Sequence, residues 1–139
     1  MDRLLVAVAI AAVAALVAFV VRRRGSVAPP AQVSRDLPSQ LDRDDFDHPE
    51  VDWLVAVFTS ATCDACVEVA AAARGLAADD VAVVEVDYPT ERRTHQRYRI
   101  GAVPMVVIAD AAGVVRAGRL GPVSSAQLAA DLVAARSSR

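Results

Sequence analysis

The stretch WLVAVFTSATCDAC, residues 53–66, joins an apolar run directly to a pair of cysteines. Its first part, Trp53 to Ser60, is rich in β-branched and aromatic residues, and a run of this length and composition is typical of a buried strand. After Cys63 the apolar side chains recur at helical spacing, and the alanine-rich composition favours a helix until Gly75. The stretch therefore predicts a buried strand that leads straight into a helix, with the cysteines at the junction.

The chain beyond this junction continues the alternation of strands and helices. Three further segments have the composition of strands: Val81 to Val86, Val106 to Ala109 and Val114 to Arg119. Pro89 is a suitable first residue for a short polar helix that extends towards Tyr98, and we expect its His95 to be solvated. Ser124 and Gln127 have the form of a capping box before a terminal helix. These patterns predict an α/β fold with a mixed β-sheet flanked by helices on both faces.

Cys63 and Cys66 are the two cysteines of the sequence. Because they stand three positions apart at the start of a helix, they lie on nearly the same side of its first turn and can form a disulfide. A thiol at a helix N-terminus is surrounded by unpaired backbone N–H groups and the positive end of the helix dipole, which lowers its pKa. We expect Cys63 to attack the disulfide of a partner and Cys66 to resolve the mixed disulfide. The reverse sequence would oxidise partners, and the direction stays open.

Three other interpretations of the cysteine pair compete with redox chemistry. A structural disulfide would close a loop of four residues, which stabilises a fold by only about 2 kcal/mol. A zinc site needs about four ligands, and beyond the cysteines the sequence offers only His48 and His95, at no recognisable spacing. Two buried thiols would not be expected between a strand and a helix. A CxxC near a βαβ pattern favours the redox interpretation, and we predict neither a metal nor a cofactor.

Residues 41–139 resemble a thioredoxin domain in the order of their predicted elements. Two segments carry the resemblance: Phe58-Thr-Ser-Ala-Thr-Cys63-Asp-Ala-Cys66 at the junction and Tyr98-Arg-Ile-Gly-Ala-Val-Pro104 before the next strand. The resemblance implies a thioredoxin-like mixed sheet and a cis Val103–Pro104 bond that faces the cysteine pair. It also implies that the backbone of Val103 pairs with an extended segment of the substrate. From the residues alone, Pro104 is also consistent with an ordinary proline at the start of a strand.

The motif departs from the thioredoxin pattern around the first cysteine. Thioredoxins have Trp before that cysteine and Gly-Pro after it, where this chain has Thr62 and Asp64-Ala65. The carboxylate of Asp64 disfavours a thiolate at Cys63 by like-charge repulsion. We therefore expect a higher thiol pKa, and a more reducing couple, than Cys63 would otherwise have.

The same resemblance leaves the proton chemistry of Cys66 open. The family has a buried acid on the preceding strand that assists the second cysteine, and Val57 aligns with it. Glu68 and Glu85 are candidates to replace this acid. Each is also typical of a solvated carboxylate on a helix or at the edge of a strand.

Ahead of the domain, residues 4–21 form an apolar run of 18 residues without a charge. As a helix this run is about 27 Å long, close to the roughly 30 Å of a bilayer core. Arginines follow at positions 22–24, which favours a retained anchor over a cleaved export signal. We predict one transmembrane helix over residues 4–21, then a basic flank and flexible linker over residues 22–40. An imperfect export signal and a buried core helix are the alternatives.

The positive-inside rule places the arginine-rich side of this anchor in the cytoplasm, which predicts a single-pass protein of the cell membrane with a cytoplasmic domain. If the domain is extracytoplasmic instead, an oxidant or a reductant of the cytochrome-maturation type becomes the more plausible role. The net charge is −2, and no basic cluster lies beyond the flank, so we exclude nucleic acid as a partner.

Together these patterns predict a thiol-disulfide oxidoreductase that acts through Cys63 and Cys66 at the membrane surface. Its partners are protein disulfides or dithiols, together with an upstream reductase or oxidant that the sequence does not identify. One alternative is a redox-inactive thioredoxin-like module that binds a partner on its Pro104 face. A CxxC metal-binding protein is the third possibility.

Overall fold

The computed structural model of the protein describes Val13 and residues 37–138. The chain divides into two units, Met1–Pro30 and Ala31–Arg139, and residues 37–138 belong to the second. The predicted anchor at residues 4–21, apart from Val13, and most of the linker lie outside the described residues. Within the described part of the chain, no helix has the length and apolar character needed to cross a bilayer.

The described domain is built on a four-stranded mixed sheet with the strand order β2-β1-β3-β4. The strands are β1 (Trp53–Ser60), β2 (Val81–Tyr88), β3 (Met105–Ala109) and β4 (Val115–Leu120). β1 runs parallel to β2 and antiparallel to β3, which in turn pairs antiparallel with β4. The helices are α1 (Asp64–Arg74), α2 (Arg92–Arg97) and α3 (Ser125–Ser137), with a 3₁₀ helix, Arg43–Asp45, before β1.

β1 lies inside the sheet and is buried on both faces from Trp53 to Thr59. On one face Val55 and Val57 pack in a cluster with residues of α1 and α3. On the other face Leu54 and Phe58 pack with residues that precede β1 and follow β2. A strand covered on both faces has a continuous apolar run rather than an alternating one, which explains the composition of this segment. The predicted mixed sheet with helices on both faces is confirmed.

Local sequence signals place most elements close to their observed bounds. The capping box of α3 is present, because the Gln127 N–H donates to the Ser124 hydroxyl and the Ser124 N–H donates to the Gln127 side chain. β2 is longer than predicted and ends at Tyr88. α2 begins at Arg92 instead of Pro89, because a turn comes first, in which the Arg92 N–H donates to the Pro89 carbonyl at 3.2 Å.

The prediction that His95 is solvated is wrong. His95 is 5% exposed, and its ring packs edge-on against Phe58 and Tyr88, at centroid distances of 5.3 and 5.5 Å. Its Nε2 donates to the Val86 carbonyl oxygen at 2.8 Å. The polar sequence around His95 suggested an exposed helix, but α2 has one side against the sheet, and an imidazole with a single backbone partner fills it.

The segment before β1 is held by the buried side chain of Arg43, which is 8% exposed. Its guanidinium donates to the carbonyl oxygens of Asp110 at 2.9 Å, His48 at 3.3 Å and Val51 at 2.8 Å. Charged donors of this kind make stronger hydrogen bonds than neutral ones. These hydrogen bonds therefore hold the segment before β1, the entry segment, against Asp110, which directly follows β3.

The same entry segment pairs with the turn between β3 and β4. The Leu41 N–H donates to the Gly113 carbonyl at 2.8 Å, and the Val115 N–H donates to the Ser39 carbonyl at 3.1 Å. Gly113 has a φ of 76°, and a Cβ at this position would lie 1.9 Å from the Leu41 carbonyl oxygen. Glycine is required here because no other residue permits both that φ and that approach.

Asp110 stabilises this turn from inside and is 6% exposed. Its carboxylate accepts the N–H groups of Ala112 and Val114, each at 3.0 Å, and the Arg116 Nε at 2.8 Å. Burial acts to raise the pKa of Asp110, but the hydrogen bonds from Arg116 and the backbone outweigh it and hold the pKa below its ordinary value. The fold therefore stabilises the ionised form.

We expect Asp110→Asn to lower the free energy of unfolding by about 1.5–3 kcal/mol at pH 7, because charge-assisted hydrogen bonds are lost. The folded pKa lies below the unfolded value of about 4, so the advantage of Asp110 is complete above that value and disappears as the pH falls through the folded pKa. Urea unfolding of both proteins at pH 7 and at a series of values below 4 measures this. A difference that stays constant across the series would contradict the assignment.

Candidate functional site

Cys63 and Cys66 form a disulfide at the junction of β1 and α1, with their Cα atoms 5.4 Å apart. The side chains differ in exposure, since Cys66 is 3% exposed and Cys63 is only partly buried. A partner that approaches from solvent therefore reaches the sulfur of Cys63 first. The structure brings the two predicted site cysteines together with distinct environments.

The chain turns sharply after β1, which places Cys63 at the N-terminus of α1. The Cys63 N–H donates to the Ser60 carbonyl at 3.0 Å, and the Cys66 N–H donates to the Cys63 carbonyl at 3.2 Å. Cys63 is the N-cap residue, with φ −107° and ψ 103°, and its side chain makes no capping hydrogen bond. Its sulfur is thus placed at the positive end of the helix dipole, which favours a thiolate once the disulfide is reduced. Asp64, the first residue of α1, is exposed beside it.

Val103 and Pro104 lie at the same end of the sheet as the disulfide. In the antiparallel pairing of β1 with β3, Phe58 lies opposite Met105, so Pro104 is level with the last residues of β1. Pro104 is buried, Val103 is partly buried, and the peptide bond between them is cis, as the resemblance implies. The N-terminal end of β3 thus meets the C-terminal end of β1, from which the chain turns into Cys63.

Large apolar side chains are exposed around this end of the sheet: Val67 at 73%, Tyr88 at 36% and Leu120 at 39%. Tyr88 lies opposite Ser60 across the β1–β2 pair, and Leu120 lies opposite Met105 across the β3–β4 pair. Val67 directly follows Cys66 in α1. The three side chains lie on different elements, α1, β2 and β4, and single exposed apolar side chains are ordinary on a protein surface.

The segment that leads to Pro104 is held in place by Arg97 and Tyr98. The Tyr98 hydroxyl donates to the Asp45 carboxylate and accepts the Asp42 N–H at 3.0 Å. Arg97 forms ion pairs with Asp42 at 2.9 Å and with Asp45 at 2.7 Å. Burial, together with the hydrogen bond to Asp45, raises the pKa of Tyr98 to about 12, so the phenol remains a donor at neutral pH. These contacts fix the start of the loop before β3.

Val57 occupies the position that the resemblance assigns to a buried acid. It is 1% exposed and packs in a cluster with Val69 and Ala70 of α1. Glu68 lies on the exposed side of α1. The space between β1 and α1 at Val57 is therefore apolar, and Glu68 does not replace the acid.

Glu85 lies opposite Val57 across the parallel β1–β2 pair and joins a chain of polar contacts. Its Oε1 accepts the Thr59 hydroxyl at 3.1 Å, and its Oε2 pairs with the Arg74 guanidinium at 2.7 Å. Thr59 is 2% exposed. The sequence identified Glu85 as a candidate but missed Thr59 and Arg74, because a threonine in an apolar run is typical of any strand. A buried hydroxyl needs a hydrogen-bond partner. The contact of Thr59 with Glu85 could therefore have been predicted only if the burial of Thr59 were known.

The described residues contain no group of three or more His, Cys, Asp or Glu side chains that could hold a metal ion. The two histidines lie apart: His48 is exposed beside Glu50, with Nδ1 and Oε1 3.5 Å apart, and His95 is buried against Phe58. Among residues 37–138 the cysteine pair therefore has no neighbouring His, Asp or Glu set that would complete four zinc ligands.

Two solved structures show which fold this arrangement belongs to. A malarial protein is similar with a TM-score of 0.51 and 17% identity over 59% of this chain and 94% of its own. Trxlp from Edwardsiella tarda is similar with a TM-score of 0.50 and 17% identity over 57% of this chain and 80% of its own. No protein-family model and no curated protein matches the chain. The domain has the thioredoxin-like fold that its sequence resemblance implies.

We expect Asp64→Ala to lower the pKa of the Cys63 thiol in the reduced chain, because the variant removes a carboxylate beside the nucleophile. The rate of alkylation at pH 7 should rise by roughly threefold, the effect of one charge at about 6 Å in a mostly aqueous setting. Alkylation rates against pH, measured in a Cys66→Ser background, isolate Cys63. Glu68→Ala is the matched control, since its carboxylate lies more than a turn further along α1. A Cys63 pKa that stays constant or rises in Asp64→Ala would contradict the prediction.

Proposed function

We propose that this protein is a thiol-disulfide oxidoreductase that exchanges disulfides with protein partners through Cys63 and Cys66. The observation that supports the proposal best is the asymmetry of the pair at the start of α1. Cys63 is accessible at a helix N-terminus, whereas Cys66 is buried one turn later. An accessible nucleophile followed by a sheltered resolving thiol is the arrangement that two-step exchange requires.

In the reducing direction, the dithiol form of the domain attacks first through Cys63. The Cys63 thiolate bonds to one sulfur of the partner's disulfide, and the other sulfur leaves as a thiolate. Cys66 then attacks the Cys63 sulfur, which releases the second partner sulfur and restores the Cys63–Cys66 disulfide. The partner gains two electrons and the domain loses two, so a separate dithiol must reduce the domain before the next cycle. In the oxidising direction the same steps run backwards.

Docking of the partner is proposed to use the end of the sheet that carries the disulfide. An extended segment of the partner pairs with the backbone of Val103, next to Pro104, and main-chain pairing of this kind tolerates many side chains. Such a site selects for accessible disulfides more than for a particular sequence.

We expect the full chain to reduce a disulfide-bonded test protein in the presence of a small dithiol, and Cys63→Ser to abolish this turnover because the nucleophile is lost. Cys66→Ser should instead accumulate a mixed disulfide through Cys63, visible by mass spectrometry. Circular dichroism of each variant controls for folding.

A folded parent chain without turnover would support the redox-inactive binding module instead. Zinc bound by the reduced chain, and lost in Cys63→Ser, would support the metal-binding alternative. Both outcomes are distinct from a loss of folding.

The proposal includes a single-pass anchor at residues 4–21 that keeps the domain at the cytoplasmic side of the membrane. The support is the uncharged run of 18 residues followed by arginines at positions 22–24. A cytoplasmic site would keep the cysteine pair among reduced thiols.

If the domain is cytoplasmic, a membrane-impermeant thiol reagent should leave Cys63 unlabelled in intact cells, even after treatment with a permeant reductant. The same reagent should label Cys63 once the cells are lysed, which controls for reactivity. Labelling in intact cells would place the domain outside and contradict the cytoplasmic assignment.

A further inference from the structure

The resolving step requires the Cys66 thiol to lose its proton in a protected place. Cys66 is 3% exposed, and burial disfavours the thiolate. Thiolate is the form that attacks a disulfide. A proton acceptor near the sheet side of α1 would therefore speed this step, and Val57, the central β1 residue on that side, cannot be one.

Cys66 lies on the side of α1 that faces the sheet. The buried residues of the helix are Cys66, Val69, Ala70 and Ala73, a helical spacing, and the last three pack in the cluster that contains Val57. α1 directly follows the cysteine end of β1 and packs on the face that contains Val57, and the last buried position of β1 on this face lies at that same end. That position is Thr59, two residues beyond Val57.

Thr59 connects this buried region to solvent through a carboxylate. Its hydroxyl donates to Glu85 Oε1 at 3.1 Å, and the Glu85 side chain is 38% exposed. The other carboxylate oxygen is held by Arg74 at 2.7 Å, which keeps Glu85 turned towards α1. The contact thus joins a buried hydroxyl to an acceptor that can exchange protons with water.

We propose that Thr59 and Glu85 act as the proton-acceptor pair for Cys66 when it resolves the mixed disulfide, with Arg74 positioning Glu85. This inference rests on the proposed function, because it concerns one step of that exchange. Acceptance of the Cys66 proton is thereby assigned to residues on the neighbouring strands β1 and β2 instead of to a single acid on β1.

The step balances as follows. The Cys66 sulfur forms a bond with the Cys63 sulfur, the bond from Cys63 to the partner breaks, and the partner leaves as a thiolate with the electron pair. The Cys66 proton passes to the Thr59 oxygen as the Thr59 hydroxyl proton passes to Glu85. Glu85 then releases a proton to water, and the departed thiolate of the partner takes up a proton from water.

Other charged groups around this face are placed differently. Asp87 lies opposite Thr59 on β2, but the Thr59 hydroxyl donates to Glu85. On α1, Asp64 and Glu68 are exposed. On β4, Arg119 forms a bidentate ion pair with Asp131 of α3. Asp87 and Glu68 therefore provide matched carboxylate controls that leave the Thr59–Glu85 contact intact.

Stopped-flow mixing of the reduced full chain with an aromatic disulfide that releases a coloured thiolate separates the two steps. The first thiolate reports attack by Cys63 and its rate scales with reagent concentration, whereas the second reports attack by Cys66 and is independent of it. In Thr59→Val and Glu85→Gln we expect the second phase to slow by about 10-fold or more at pH 7, with the first phase unchanged. Asp87→Asn and Glu68→Gln should leave both phases at the parental rates.

Whether the second phase becomes slower or faster in the variants separates proton transfer from a purely electrostatic effect. Loss of the Glu85 charge alone would favour the Cys66 thiolate and speed the second phase, and a purely structural defect would alter both phases and the melting temperature. If Thr59 and Glu85 accept the proton of Cys66, each variant should show a slower second phase. The pH profile of that phase should move to higher pH, because hydroxide must then deprotonate Cys66.

Three outcomes decide between these proposals. A second phase in both variants that is as fast as in the parent, or faster, overturns the proton-acceptor pair and leaves the oxidoreductase intact. A parent chain that releases no second thiolate overturns the proposed function and the pair with it. A slowed second phase in Asp87→Asn, with Glu85→Gln unaffected, assigns the acceptor to Asp87 and overturns the role of Glu85.

Discussion

Burial of β1 on both faces is the constraint on which the position of the disulfide depends. Each residue from Trp53 to Thr59 is covered by side chains above, below or both, and each large apolar side chain contributes about 1.5–3 kcal/mol when buried. β1 is also paired on both edges, so it cannot slide or tilt without breaking two ladders. The chain leaves this fixed strand at Ser60 and turns at once into Cys63. The position of the cysteines is therefore set by a strand that is buried on both faces and paired on both edges.

The parts of the fold that depend on neighbours along the chain could be predicted from the sequence. The apolar run of β1, the helical repeat after Cys63 and the capping box at Ser124 each contain their own signal within a few residues. The cis Val103–Pro104 bond came from the resemblance, since only a few per cent of X–Pro bonds are cis. Nothing in the spacing of residues could have indicated it.

The parts that depend on register across strands could not be predicted in the same way. Glu85 meets Thr59 only because β2 pairs parallel with β1 in one particular register, and the sequence separation of 26 residues contains no trace of that contact. His95 illustrates the same limit, because a polar hexapeptide gives no indication of which side will face a sheet. The chemistry around Cys66 was therefore less predictable than the cysteine pair itself.

The apolar residue at position 57 also changes the surroundings of the cysteine pair. A single buried acid must be desolvated, and its ionisation is costly in an apolar interior. A buried hydroxyl that contacts a half-exposed carboxylate avoids that cost, because the charge stays at the surface beside Arg74. The domain thus has an apolar core beneath α1, and polar contacts join Thr59, Glu85 and Arg74 beside it.

The contacts of Arg43 also determine at which end of the sheet the segment before β1 is held. The entry segment is joined by Arg43 and Leu41 to the end of β3 and the turn that follows it. In the β1–β3 pairing that end lies beside Leu54, the full length of β1 away from Cys63. Arg43 and Leu41 thus hold this segment at the end of the sheet opposite the disulfide.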